Sequence, residues 1–106
     1  MTEPRATLET DWLHLTRTTL PALAVERGWP VVADHCFQRI LLDNACAGPW
    51  YDHVAKRPAY RHIATDRLAA AVALGRAAID GTADLHALNR ASLRWRGKRL
   101  PPTACS

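Results

Sequence analysis

The residues best equipped for chemistry crowd into one stretch, DHCFQRILLDNACAGPWYDHV, residues 34 to 54, which holds two histidines, two cysteines, three aspartates, a tryptophan and a tyrosine. On a helical wheel, Phe37, Ile40, Leu41 and Asn44 fall on one face, while His35, Arg39 and Asp43 climb the other at i, i+4 and i+8. If the WYDH segment folds back on this helix, Tyr51, Asp52 and His53 join them around a pocket. A carboxylate beside a histidine orients one ring nitrogen and makes the other a better base. Arg39 could hold a carboxylate or phosphate through two parallel hydrogen bonds, and Trp50 or Tyr51 could stack on a planar ligand. The candidate catalytic set is His35, Arg39, Asp43, Tyr51 and His53. The same spacing also builds a plain surface ladder of ion pairs, and both readings stay open.

Two residues disturb a simple amphipathic reading. Leu42 and Cys46 sit on the supposed polar side, so this helix is expected to be covered on more than one face. Asn44 sits amid the apolar face, where an amide without partners costs roughly 1–3 kcal/mol. It is expected to brace the backbone of the neighbouring VVAD and GPWY loops.

His35, Cys36, Cys46, His53 and His62 are all competent metal ligands, but no Cys-x2-Cys or His-x3-His pair lets one turn supply two of them. Neither a metal nor a cofactor is expected. Cys36, Cys46 and Cys105 match no disulfide framework, which fits reduced thiols and a cytoplasmic protein.

A second concentration of chemistry lies near the C-terminus, where Arg90, Arg94, Arg96, Lys98 and Arg99 crowd around Trp95 with no acid after Asp84. On a helix, His86, Arg90 and Arg94 form one stripe opposite Leu85, Leu88 and Ser92, with Asn89 beside it. A basic face with an aromatic residue suits phosphate neutralisation and base stacking. The expected nucleic-acid contacts are His86, Asn89, Arg90, Arg94, Arg96, Lys98 and Arg99, and Trp95 is expected in the core.

The elements that must position these groups read as helices. Strand signal is confined to Val31-Val32, too short for a sheet, so the expected fold is all-α: a bundle of five or six short helices. Thr10 is expected to cap a first helix, Pro21 to kink it or open a second, and Gly28 to stop that one. Asp34 is the expected cap of the helix that Gly48 ends. After a short WYDHVAK helix and the loop PAYRHIA, Thr65 should cap a long alanine-rich helix reaching Asp80. Gly81-Thr82 turns the chain into a last helix from about Ala83 to Trp95. Those last two helices admit a helix-turn-helix reading or a plain αα-hairpin.

At 106 residues and 48% hydrophobic content, the chain is expected to fold as one helical domain over residues 1 to 100 with a flexible tail over 101 to 106. No apolar run approaches the roughly 18 residues of a membrane span, and the polar, acidic N-terminus does not suit a signal peptide. Net charge is +4, but residues 1 to 52 carry four arginines against seven acids, whereas residues 53 to 106 carry ten lysines and arginines against three aspartates. Segregated charge points to a polyanionic partner or to head-to-tail self-association.

The segments DHCFQRILLDNA, WYDH, PAY and LNRASLRWRGK resemble a family of short bacterial proteins, some of which carry the label GCN5-related acetyltransferase. The likeness runs from Trp29 to Lys98. That label implies a mixed sheet and a pyrophosphate loop of the Q/R-x-x-G-x-G/A type, which the sequence lacks, so no site residue is carried over.

Two functions follow. The first is nucleic-acid binding, DNA or RNA, through the C-terminal basic helix and tail; it is preferred because charge segregation needs no assumption about convergence in space. The second is a small enzyme or ligand-binding protein with a pocket formed by residues 34 to 54.

Overall fold

Gly28, Ala47 and Gly81 all take left-handed backbone, with φ of 65°, 54° and 83°, and each closes a helix. These stops divide the computed structural model, which describes residues 4 to 97, into an all-α bundle without a strand among those residues. The elements are α1 (Arg5–His14), a π-helical turn (Leu15–Thr19), α2 (Leu20–Arg27), α3 (Asp34–Cys46), a 3-10 turn (Trp50–Asp52), α4 (Ala59–His62), α5 (Thr65–Asp80) and α6 (Leu85–Trp95).

The first three elements form one rod. Pro21 cannot donate to the carbonyl four residues back and its ring crowds that turn, and the wider π turn lies just upstream of it. Buried Thr16 bonds the Trp12 carbonyl at 2.9 Å and accepts from Gln38 Nε2 at 3.1 Å, tying the π turn to α3. Arg5 anchors the start of the rod through Glu9 at 2.8 Å, Thr65 Oγ1 at 2.9 Å and the Tyr60 carbonyl at 2.8 Å.

α3 is the central element, packed against α5, α6, α2 and the π turn. Phe37, Ile40 and Leu41 are fully buried with Leu68 and Ala71 of α5 and Trp12 of α1. Gly75 permits the close approach of α5 to the π turn, because a Cβ there would collide with Leu15 Cδ2. α6 also rests on α3. Among the described residues, no helix is long and apolar enough to cross a membrane.

Several expected boundaries shift. Thr10 is mid-helix, its hydroxyl donating to the Ala6 carbonyl at 3.0 Å, and α1 instead begins after Pro4. Ala33 is the extended residue before α3, so Asp34 is its first helical residue rather than its cap. The turn after α3 falls at Ala47 and not Gly48, whose N–H reaches the Asp43 carbonyl at 3.0 Å. The WYDHVAK helix shrinks to the 3-10 turn, and the PAYRHIA loop contains α4. Thr65 lies within α5, after Ala64. Thr82 closes α5 by donating to the Ala77 carbonyl at 3.2 Å, while Asp84 caps α6 by accepting the His86 N–H at 3.0 Å. Trp95 is 40% exposed and does not join the core. Cys46 is a buried free thiol, but Cys36 is disulfide-bonded, against the expectation of reduced thiols throughout.

Candidate functional site

Arg39, Asp43 and Asn44 of α3 turn inward toward α6. Asp43 is fully buried and both of its carboxylate oxygens are saturated. Oδ2 accepts from Ser92 Oγ at 2.7 Å and Arg96 Nε at 2.7 Å, and Oδ1 accepts from Arg96 Nη2 at 3.0 Å and the Trp50 N–H at 2.9 Å. Four donors, two of them from one guanidinium, give the dense pairing that a desolvated carboxylate needs. The same contacts fix the backbone at the start of the 3-10 turn and the last residue of the α6 region.

One turn earlier on α3, Arg39 is 5% exposed. Its Nη1 donates to Ser92 Oγ at 2.8 Å and its Nη2 to Asn89 Oδ1 at 2.7 Å. The Ser92 hydroxyl therefore joins Arg39 to Asp43, accepting from one and donating to the other. Burial foremost, and Arg96 next, lower the pKa of Arg39, with Asp43 opposing them. An arginine still remains protonated there. Asn44 completes the seam by donating to the carbonyls of Ile40 at 2.7 Å and Leu88 at 2.9 Å. It braces α3 against α6, not the two loops expected from the sequence.

In front of this seam lies an open cleft of about 370 Å³. Four basic side chains, His35, Arg39, Arg57 and Arg96, line it with Gln38, and no carboxylate among the described residues does. Trp12, Leu42, Trp50, Pro58, Ala59 and Tyr60 supply its apolar lining. Arg57 stacks over the Trp50 ring, its guanidinium carbon 5.1 Å from the centroid, and makes no ion pair among the described residues. Arg96 lies 5.1 Å over the ring of Tyr51. Fully buried Trp12 carries an indole N–H without a hydrogen-bond partner among the described residues.

The expected catalytic set is thus divided. His35 and Arg39 line the cleft, and Asp43 lies behind them in the seam. Tyr51 flanks Arg96 outside the lining, 48% exposed, and His53 and Asp52 are exposed away from it. His35 Nδ1 stands 3.6 Å from Asp34 Oδ1 at the rim. The expected nucleic-acid set divides too. His86, Arg90 and Arg94 are exposed on α6, while Asn89 is 2% exposed and bonded to Arg39, and Arg96 is committed to Asp43. Neither Asn89 nor Arg96 is therefore a surface phosphate contact: both face α3, where Arg39 and Asp43 hold them. Lys98 and Arg99 lie outside the described residues.

Arg57, Tyr60 and Trp12, cleft residues not expected from the sequence, have no local spacing that ties them to α3, and Gln38, also not expected, lies on α3 itself. No group of three or more His, Cys, Asp or Glu among the described residues could hold a metal ion. Ser92 is locked by two hydrogen bonds, and burial pushes the Cys46 thiol up from its ordinary pKa, so neither is an activated nucleophile. The arrangement is suited to holding an anion among aromatic side chains.

No protein-family model matches the chain, and no curated protein or solved structure matches it either.

Proposed function

We propose that this protein binds a small organic anion in the cleft between α3 and the segment from Trp50 to Tyr60. The observation that carries this reading is the lining: basic side chains together with aromatic and aliphatic ones, and no carboxylate among the described residues. Apolar pockets with a few placed polar groups are the usual form of small-ligand sites, and about 370 Å³ lies near the lower end of their size range, roughly 300–1,000 Å³. Arg39 and Arg96 are held on α3 and α6 by short hydrogen bonds, so their positions are fixed before a ligand arrives, which lowers the entropy cost of binding. The test is tryptophan fluorescence during titration with a panel of small organic acids, since Trp12 and Trp50 lie in the cleft. A saturable change that Arg57→Gln weakens is the expected result. A panel without one saturable member would sink the reading.

A second reading, nucleic-acid binding, is favoured by the exposed stripe of His86, Arg90 and Arg94 on the outer side of α6. It now draws on three of the seven residues expected from the sequence, with Lys98 and Arg99 outside the described residues. Fluorescence anisotropy of labelled duplex DNA and single-stranded RNA at two salt concentrations tests it, with affinity expected to fall steeply as salt rises.

A further inference from the structure

The cleft carries enough detail to name a ligand class, and this step rests on the anion-binding reading above. We infer that the preferred ligand is a monocarboxylate borne on a single planar ring, rather than a phosphate.

The charge comes first. Arg96 is already engaged by both oxygens of Asp43. Arg57 has no carboxylate partner among the described residues, and its guanidinium carbon lies 5.1 Å over the centroid of the Trp50 ring. A guanidinium stacked on a ring keeps its N–H donors in plane and pointing away from the stack, which matches the planar fork of a carboxylate.

A phosphate dianion is best received by converging backbone N–H groups at a helix start or a turn. Two helix starts border this cleft: that of α4, a single turn whose Ala59 and Tyr60 line it, and that of α3, where Asp34 occupies the first turn and its Oδ1 takes the His35 N–H at 2.7 Å. That carboxylate repels a dianion and occupies a donor it would need. The apolar part of the lining argues in the same direction. Trp50 and Tyr60 offer ring faces and edges, Leu42 and Pro58 aliphatic surface, and burying a flat ring against them gains roughly 25 cal/mol per Å² removed from water. A free phosphate buries none of that surface. The modest volume favours one ring with small substituents over a nucleotide.

Three probes separate the possibilities: benzoate, benzyl alcohol as its uncharged ring equivalent, and inorganic phosphate. Each is titrated into the 15N-labelled full chain, following the tryptophan indole and backbone amide signals. Benzoate is expected to saturate, to bind at least about ten times more tightly than benzyl alcohol, and to move the signals of residues around Trp50, while phosphate produces no saturable shift. Arg57→Gln is expected to weaken benzoate several-fold and leave benzyl alcohol unchanged; Arg57 is exposed, so the variant should fold. Arg94→Gln, on the outer side of α6, should leave benzoate binding unchanged. Phosphate saturating the same signals as benzoate would overturn the carboxylate assignment and keep the anion reading. Benzyl alcohol equal to benzoate, or no saturable shift with any probe, would overturn both.

Discussion

The two sides of α6 carry the same kinds of residue and put them to opposite uses. Toward α3, Asn89, Ser92 and Arg96 are drawn into a closed hydrogen-bond seam around Asp43 and Arg39. Away from α3, His86, Arg90 and Arg94 are exposed, with no ion pair among the described residues. Arg94 and Arg96 are two residues apart, so a helix turns them to different sides. What an arginine does here is decided by whether a carboxylate on another helix waits on its side. Inside, removing one partner strands a desolvated group; outside, water replaces whatever is lost.

The largest break in this comparison is expected from Asp43→Ala. It takes the acceptor from Arg96, Ser92 and the Trp50 N–H together, and breaking a buried pair by removing one partner costs about 3–5 kcal/mol. Urea denaturation should show that loss, or no cooperative transition at all. A loss under about 1 kcal/mol would mean that the seam is ordinary surface chemistry seen from inside. Arg96→Gln makes the reciprocal test, leaving the Asp43 charge buried with two neutral donors.

Ser92→Ala comes next. The hydroxyl is fully buried and serves both charged partners at once, so its loss leaves Arg39 Nη1 and Asp43 Oδ2 each one bond short. The expected cost is about 2 kcal/mol in the same denaturation experiment, within the range for leaving buried groups unpaired. Asn44→Ala should cost less, about 1 kcal/mol, because Asn44 is only half-buried and the stranded Leu88 carbonyl gains access to water. The order of these three variants sharpens the comparison: cost should track how many desolvated charges each residue serves.

Much of the helical frame was legible before the structure. Pro21, Gly28, Gly81 and the alanine-rich run after Thr65 act locally, through backbone sterics and missing N–H groups, so their effect is written where they stand. The all-α expectation rests on the same local chemistry. The seam is different, because Arg39 and Asp43 meet partners 49 to 53 residues away, and i, i+4 spacing alone cannot distinguish a buried pair from a surface ladder. One signal was present: Leu42 and Cys46 on the supposed polar side marked α3 as covered on several faces, and both are buried. A matching one lay in α6. Asn89, Ser92 and Arg96 keep the register of Leu85 at steps of four, three and four, which places them on the inner side, whereas His86, Arg90 and Arg94 advance by fours on another. The cleft was half legible. His35, Arg39 and Trp50 were named from composition, but Arg57 and Tyr60 reach it only through the path of the chain between α3 and α5.

The smallest effect on stability belongs to the outer side of α6, where it is the most informative about function. Replacing Arg90 and Arg94 together by Gln removes two exposed charges that no carboxylate answers, so stability should stay within about 0.5 kcal/mol. A larger loss would place these residues in the same class as Arg96 and dissolve the distinction between the two sides. If this face holds phosphates, the same double variant should flatten the dependence of log affinity on log salt for duplex DNA by roughly two, since each neutralised phosphate contributes about 0.9 to the slope. An unchanged slope with unchanged affinity would take nucleic acid away from this face. Running the double variant against benzoate in parallel keeps the two surfaces separate: the cleft lies beside the seam on α3, so its affinity should not respond to charge on the far side of α6.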